Sequence, residues 1–218
     1  FGALQFQDIA INSMAVNAND ADGDGGGVWI GEGGVLQLQR VTVNGNAINA
    51  NSAGGDGGGV FIGQGGAFQL QKVTLNKAPI NANAAGGNGG GVAIKQLGLF
   101  QWQEVTASNN VINANSAGYD GGGVWIDQGG AFQAQKVNIY TNALNANTAG
   151  RNGGGIFINA GALASLQVVE VKVASNALNA NVAGTNGGGI YNGGGALKLY
   201  GTHVNANKAA GLGGGIYN

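Results

Sequence analysis

Gly57-Gly58-Gly59-Val60-Phe61-Ile62, Gly63-Gln64-Gly65-Gly66, Ala67-Phe68-Gln69-Leu70-Gln71 and Val73-Thr74-Leu75 follow one another in a stretch whose apolar residues alternate with polar or aromatic ones over three to five positions. That is the period of a β-strand, and the glycine clusters between the runs are turn chemistry. Moving outward, the triplet Gly-Gly-Gly opens again at Gly25, Gly89, Gly121, Gly153, Gly187 and Gly213, so the successive intervals are 32, 32, 32, 32, 34 and 26 residues. A second marker, an aliphatic residue followed by Asn-Ala-Asn, begins at Val16, Ile48, Ile80, Ile112, Leu144, Leu178 and Val204, nine residues ahead of each triplet. Two markers in one register at a fixed period mean an array of stacked units.

The units contain no stretch of period 3.6, which excludes helical and helix-bearing repeats, and about 32 residues is short for a four-stranded propeller blade. The remaining architecture is all-β: a parallel β-helix, or β-solenoid, of about seven coils, mostly 32 residues long, with three short strands each. The right-handed preference of parallel crossovers sets the expected hand. The whole chain, 1–218, reads as one such domain, either by itself or as a segment of a longer solenoid or fibre.

Stacking one unit per coil turns each position into a column along the axis. Val28, Val60, Val92, Val124, Ile156, Ile190 and Ile216 make one inward column, and Leu4, Leu36, Phe68, Phe100, Phe132, Leu166 and Leu197 a second. A third, through Leu38, Leu70, Trp102 and Ala134, sets the largest side chain beside the smallest, as a filled interior requires. Gln5, Gln37, Gln69, Gln101, Gln133 and Gln167 take an outward position. Asp8, Arg40, Lys72, Glu104, Lys136 and Glu170 follow at the next turn, opposite in sign at four of five steps, which supports the same register because stacked like charges destabilise a sheet. Asn17, Asn49, Asn81, Asn113, Asn145, Asn179 and Asn205 fall at a bend, where asparagine tolerates a left-handed backbone, and are expected to form an internal amide ladder.

The Gly-Gly-Gly-Ile-Tyr-Asn at 187–192 and 213–218, with Asn-Ala-Asn ahead of it, resembles the right-handed parallel β-helix repeats of surface adhesins and autotransporter passengers. It is also similar to the Gly-Gly-Ala-Ile repeats of polymorphic outer-membrane proteins. The resemblance implies an extracellular or cell-surface structural element.

Composition narrows the function. Nine Lys and Arg against ten Asp and Glu leave a net charge of −1, so no basic surface for nucleic acid is expected, and no apolar run approaches the roughly 20 residues of a membrane span. Cysteine is absent, which removes disulfides and thiolate metal sites. The acidic residues are scattered over the coils, and His203 is the single histidine, so no catalytic constellation is legible and the chain is read as not an enzyme. A run of outward threonines, Thr42, Thr74 and Thr106, breaks at Asn138 and Lys172, which makes an ice-binding array a poor fit.

Three candidate sites remain. Asp20, Asp22 and Asp24, alternating and followed by Gly25, have the opening pattern of an oxygen-ligand calcium loop, and calcium is the one cofactor to consider. Trp29, Phe61, Trp125, Phe157, Tyr191 and Tyr217 alternate with the inward Val/Ile column, and form an outward stripe able to stack on cell-surface or matrix carbohydrate or on a neighbouring filament; the competing reading covers the stripe as a second small core. Finally, Ile216-Tyr217-Asn218 starts a coil that Phe1-Gly2-Ala3-Leu4 would resume, so the solenoid is expected to continue axially, either by head-to-tail self-association through Phe1, Leu4, Phe6, Ile216, Tyr217 and Asn218 or as one segment of a longer tandem protein. The preferred function is an extracellular fibre or adhesive element; the alternative is a carbohydrate-binding or polysaccharide-degrading β-helix.

Overall fold

A computed structural model describes residues 2–12, 16–45, 48–76, 80–108, 111–139, 144–159, 165–173, 178–200 and 203–218. Every strand pairing among them is parallel, and partners are usually 32 residues apart, so each coil lies directly on the one before. The coils close a β-solenoid walled by four sheets. Five consecutive turns, from Val28 to Gly189, have a neighbouring turn on both faces at every described strand except Val28–Ile30, the edge of its sheet, and the expected count of seven is reached only by including the two flanking turns that are open on one side.

The turns opening at Gly25, Gly57 and Gly89 carry five short strands rather than the expected three, and those opening at Gly121, Gly153 and Gly187 carry four among the described residues. In the turn that opens at Gly57 they are Val60–Ile62, Ala67–Gln71, Thr74–Leu75, Ile80–Asn81 and Ala84–Ala85. The last two are two residues long and stand on either side of a sharp corner, so they leave no alternation in the sequence. In the turns opening at Gly121 and Gly153 the second and third strands fuse into Ala131–Ile139 and Ser165–Val173.

The inward columns meet in one continuous apolar interior, with Val60, Ile62, Val92, Ile94, Phe100, Val124 and Ile126 fully buried. Leu70, Trp102 and Ala134 are register partners as volume conservation requires. The Trp102 indole packs edge-on to Phe100 and Phe132, with centroids 5.4 and 5.1 Å apart, and its Nε1–H is buried without an acceptor.

Two corner devices make the coil close. The residue between the two asparagines is alanine, and it is this alanine, not asparagine, that takes the left-handed conformation: Ala18, Ala50, Ala82, Ala114, Ala146, Ala180 and Ala206 all have φ of 52–55°. A left-handed alanine costs about 1–2 kcal/mol, and the flanking asparagines supply what offsets it. The expected ladder of Asn49, Asn81 and Asn113 exists, with amide-to-amide distances of 2.8–2.9 Å, but those side chains are only half-buried. The internal ladder is made by the second asparagine of each motif. Asn51, Asn83, Asn115, Asn147 and Asn181 are no more than 1% exposed, and each offers both its backbone N–H and its side-chain Nδ2 to the Oδ1 of the asparagine one coil on. The same Nδ2 also donates to a backbone carbonyl across the corner, as Asn83 does to Ile48 at 3.2 Å.

The glycine triplet is the other corner. Its first member has φ of 63–73° in every coil. The second has no room for a side chain, because a Cβ on Gly90 would overlap the Ser116 carbonyl, and a Cβ on the third, Gly91, would lie 2.6 Å from the Gly123 carbonyl oxygen.

Candidate functional site

The second residue of each Val-x-Ile strand points away from the interior, and the strands stack in register, so Trp29, Phe61, Ala93, Trp125, Phe157, Tyr191 and Tyr217 form one continuous outer column. Phe157, Tyr191 and Tyr217 are half-buried and stacked nearly parallel, with centroids 4.9 Å apart and planes 4° from coplanar. This is the coil spacing expressed in aromatic rings.

The middle of the column departs from the expected exposed stripe. Phe61 and Trp125 are 6% and 7% exposed and form a small second core with Ala93, against which Phe157 packs. Outward does not mean exposed here, for two reasons. The left-handed first glycine of each triplet folds the preceding arc onto the base of the aromatic column, so that a Cβ on Gly121 would lie 2.9 Å from the Trp125 Cα. In addition, Ala93 leaves a gap between Phe61 and Trp125, and Lys95 fills it. Its Nζ lies 4.9 Å from the Trp125 ring centroid and 5.8 Å from that of Phe61, and it donates to Asp56 Oδ2 at 2.9 Å. Nothing in the sequence pattern singles out Lys95 except that it stands where Gly63 and Gly31 stand one and two coils earlier.

Trp29 is different. It is 63% exposed, and its six-membered ring lies on Gly31, where a Cβ would come within 2.7 Å of the indole. The glycine is therefore a seat: it lets the ring lie flat on the backbone with the opposite face to solvent. Beside it runs a groove of about 360 Å³ whose floor is Trp29 and Phe61 and whose rim carries Asp24, Glu32, Gln64, Lys95, Gln96 and Asp127.

Asp20, Asp22 and Asp24 are not brought together. Asp20 lies in the strand Asp20–Ala21, Asp22 on the arc after it, and Asp24 spends one oxygen structurally, its Oδ1 accepting the Asp56 backbone N–H at 2.8 Å. The same bond recurs from coil to coil through Asp56, Asn88, Asp120 and Asn152, and because this bond needs only the Oδ1 acceptor, Asp and Asn interchange there. Among the described residues no three of His, Cys, Asp and Glu are placed to hold a metal ion. The alternating carboxylates are thus ladder and turn residues, and the calcium geometry expected of them is absent from the described residues.

At the two ends, the apolar columns are open. Leu4 is 56%, Phe6 37% and Ile216 39% exposed, whereas their column mates Phe100 and Val124 are fully buried. Tyr217 is half-buried against Tyr191, and Asn218 accepts a hydrogen bond from Asn192 Nδ2 at 2.6 Å; Phe1 lies outside the described residues. A cleft of about 530 Å³ opens at the N-terminal end between Leu4, Val28, Ile30, Val35 and Leu36. The charge column yields one ion pair among the described residues, Arg40 to Asp8, made by two bonds of 2.5 and 2.7 Å. His203 is exposed. No helix of the described residues is long and apolar enough to cross a membrane.

The fold and its outer column define the class, a parallel β-solenoid repeat protein. No family model matches the chain, and no curated protein matches it. Among solved structures, a hyper-glycosylated fragment of TibA modified by TibC aligns over 98% of this chain and all of that one at 14% identity, with a TM-score of 0.15. Superposition at that level carries no argument, so function is read from this molecule alone.

Proposed function

We propose that this protein is a structural or adhesive element of the cell surface or extracellular space, and that it works by adding coils at the ends of its solenoid, through head-to-tail association with a second copy. The observation that carries this reading is the contrast in burial between the end columns and the middle ones. Leu4, Phe6 and Ile216 sit in columns that are sealed elsewhere, and one more coil would seal them. Sheet edges left open in this way pair with further strands, and a contact that repeats without closing makes a filament. The reading assigns the chain no enzymatic step and no resident cofactor.

Negative-stain electron microscopy of the purified chain at neutral pH is the test. Unbranched filaments one solenoid wide, abolished by Leu4→Lys, are the expected result. Compact particles roughly 35 Å long, the height of seven strand layers, at every concentration would overturn axial association. The exposed indole of Trp29 and its polar groove favour a second activity of the same element, carbohydrate binding.

A further inference from the structure

We propose that the groove beside Trp29 is a binding site for a neutral, linear oligosaccharide, with Trp29 as its stacking platform. The proposal rests on the carbohydrate-binding reading; the site stands on the edge strand Val28–Ile30 at the N-terminal end, so a second copy stacked there would cover the indole and compete with the sugar.

The absence of a side chain at Gly31 lets the indole of Trp29 lie against the backbone, and the result is a large flat apolar surface 63% open to solvent. Phe61 and Trp125, in the same column, have a coil on both sides and are covered, whereas Trp29 stands on the edge strand Val28–Ile30, where the sheet ends and its ring face is left open. The face of an aromatic ring suits the C–H face of a pyranose, while the hydroxyls around the sugar's edge need hydrogen-bond partners in the same plane. The rim provides them. Asp24 and Asp127 each have one carboxylate oxygen engaged by Asp56 N–H and Asn159 Nδ2, and keep the other, and Glu32, Gln64 and Gln96 line the same groove.

Charge then selects the occupant. Three carboxylates, Asp24, Glu32 and Asp127, line the groove against one cation, Lys95, and Lys95 is already paired with Asp56. Polyanions such as nucleic acids and uronate-rich polysaccharides are repelled; hydroxyl donors are welcome. Shape agrees: Asp24 and Asp127 lie three coils apart, about 14 Å at one strand spacing per coil, which suits an extended chain of sugars better than a compact metabolite. A volume of about 360 Å³ is within the range of small-ligand clefts.

The test uses the whole chain, four neutral probes, cellotetraose, chitotetraose, xylotetraose and maltotetraose, and the anionic tetragalacturonate, with tryptophan fluorescence and titration calorimetry as readouts. At least one neutral probe is expected to bind saturably in the millimolar range or tighter, with a blue-shifted tryptophan emission. Trp29→Ala is expected to weaken that binding about tenfold or more and to leave the circular dichroism spectrum and melting temperature near those of the parent. Gln64→Ala, remote from any core, is the second variant and is expected to weaken binding severalfold. Absence of saturable heat with all four neutral sugars at about 10 mM overturns the proposal. So does unchanged binding in both variants, or tighter binding of tetragalacturonate. If Trp29→Ala instead alters filament formation while no sugar binds, a second copy of the chain covers the indole and the proposal falls.

Discussion

Asn113 and Asn115 are two residues apart and one left-handed alanine separates them, yet their amides answer to different environments. Asn115 is 1% exposed, accepts from the backbone and side chain of Asn83, and donates to Asn147 and to the Ile80 carbonyl. Asn115→Ala strands several buried polar groups at about 1–3 kcal/mol each, and chemical denaturation should show a loss of at least about 3 kcal/mol. Asn113→Ala, on the half-buried outer ladder, should cost under about 1 kcal/mol. The aromatic column divides in the same way. Trp125→Ala empties a covered site and should cost about 3–5 kcal/mol, whereas Trp29→Ala should shift the melt little. At Asp8, the hydrogen bond from Arg40 holds the carboxyl below the usual carboxylate range, and the same bond raises Arg40. A depressed carboxylate stabilises the fold above its unfolded pKa and loses that contribution as pH falls through the folded one. Arg40 remains charged throughout that window, so the pair weakens only in acid. Because both groups are on the surface, the expected effect is small: a melting temperature flat near neutrality, with a slight Asp8-dependent fall below about pH 4 that about 1 M salt removes.

Strands of two residues are the elements that sequence reading could not see. Val60–Ile62 and Ala67–Gln71 alternate long enough to show their period, and the column register that followed from them is the register of the structure. Ile80–Asn81 and Ala84–Ala85 read as a bend because Ala82 reverses the chain between them. The second asparagine of each motif carried a signal, since it recurs in all seven units, but only the packing distinguishes the buried ladder from the outer one. The aromatic column was legible as a column; its burial was not, because Lys95 and the glycine arcs reach it from other coils. Glycine function at this scale is also testable. Gly90→Ala drives a Cβ into the Ser116 carbonyl and should destabilise by more than about 3 kcal/mol. Gly65→Ala, at φ 66° with open space around it, should cost only about 1–2 kcal/mol of backbone strain. Ala114 is the converse: Gly there relieves its left-handed strain and Val worsens it, so thermal melts should rank Gly at or above Ala and both above Val.

Across the whole molecule, each coil touches only its neighbours, so stability is a sum of unit terms and interface terms. Amide exchange should be slowest around Val92–Ile94 and Val124–Ile126 and fastest in Ala3–Gln7 and Ile216–Tyr217, where one interface is open. Uniform protection from end to end would show that the end faces are covered in solution. One coil is also one strand thick and, in most of the chain, 32 residues long. The chain is in effect wound on a spool. A pull at one terminus frees a single winding at a time, and each winding let go lengthens the thread from about 5 Å to about 110 Å. A thread wound this way is stiff until it yields, then lets out slack turn by turn, and it can rewind on the next intact turn because every turn is the template for the one beside it.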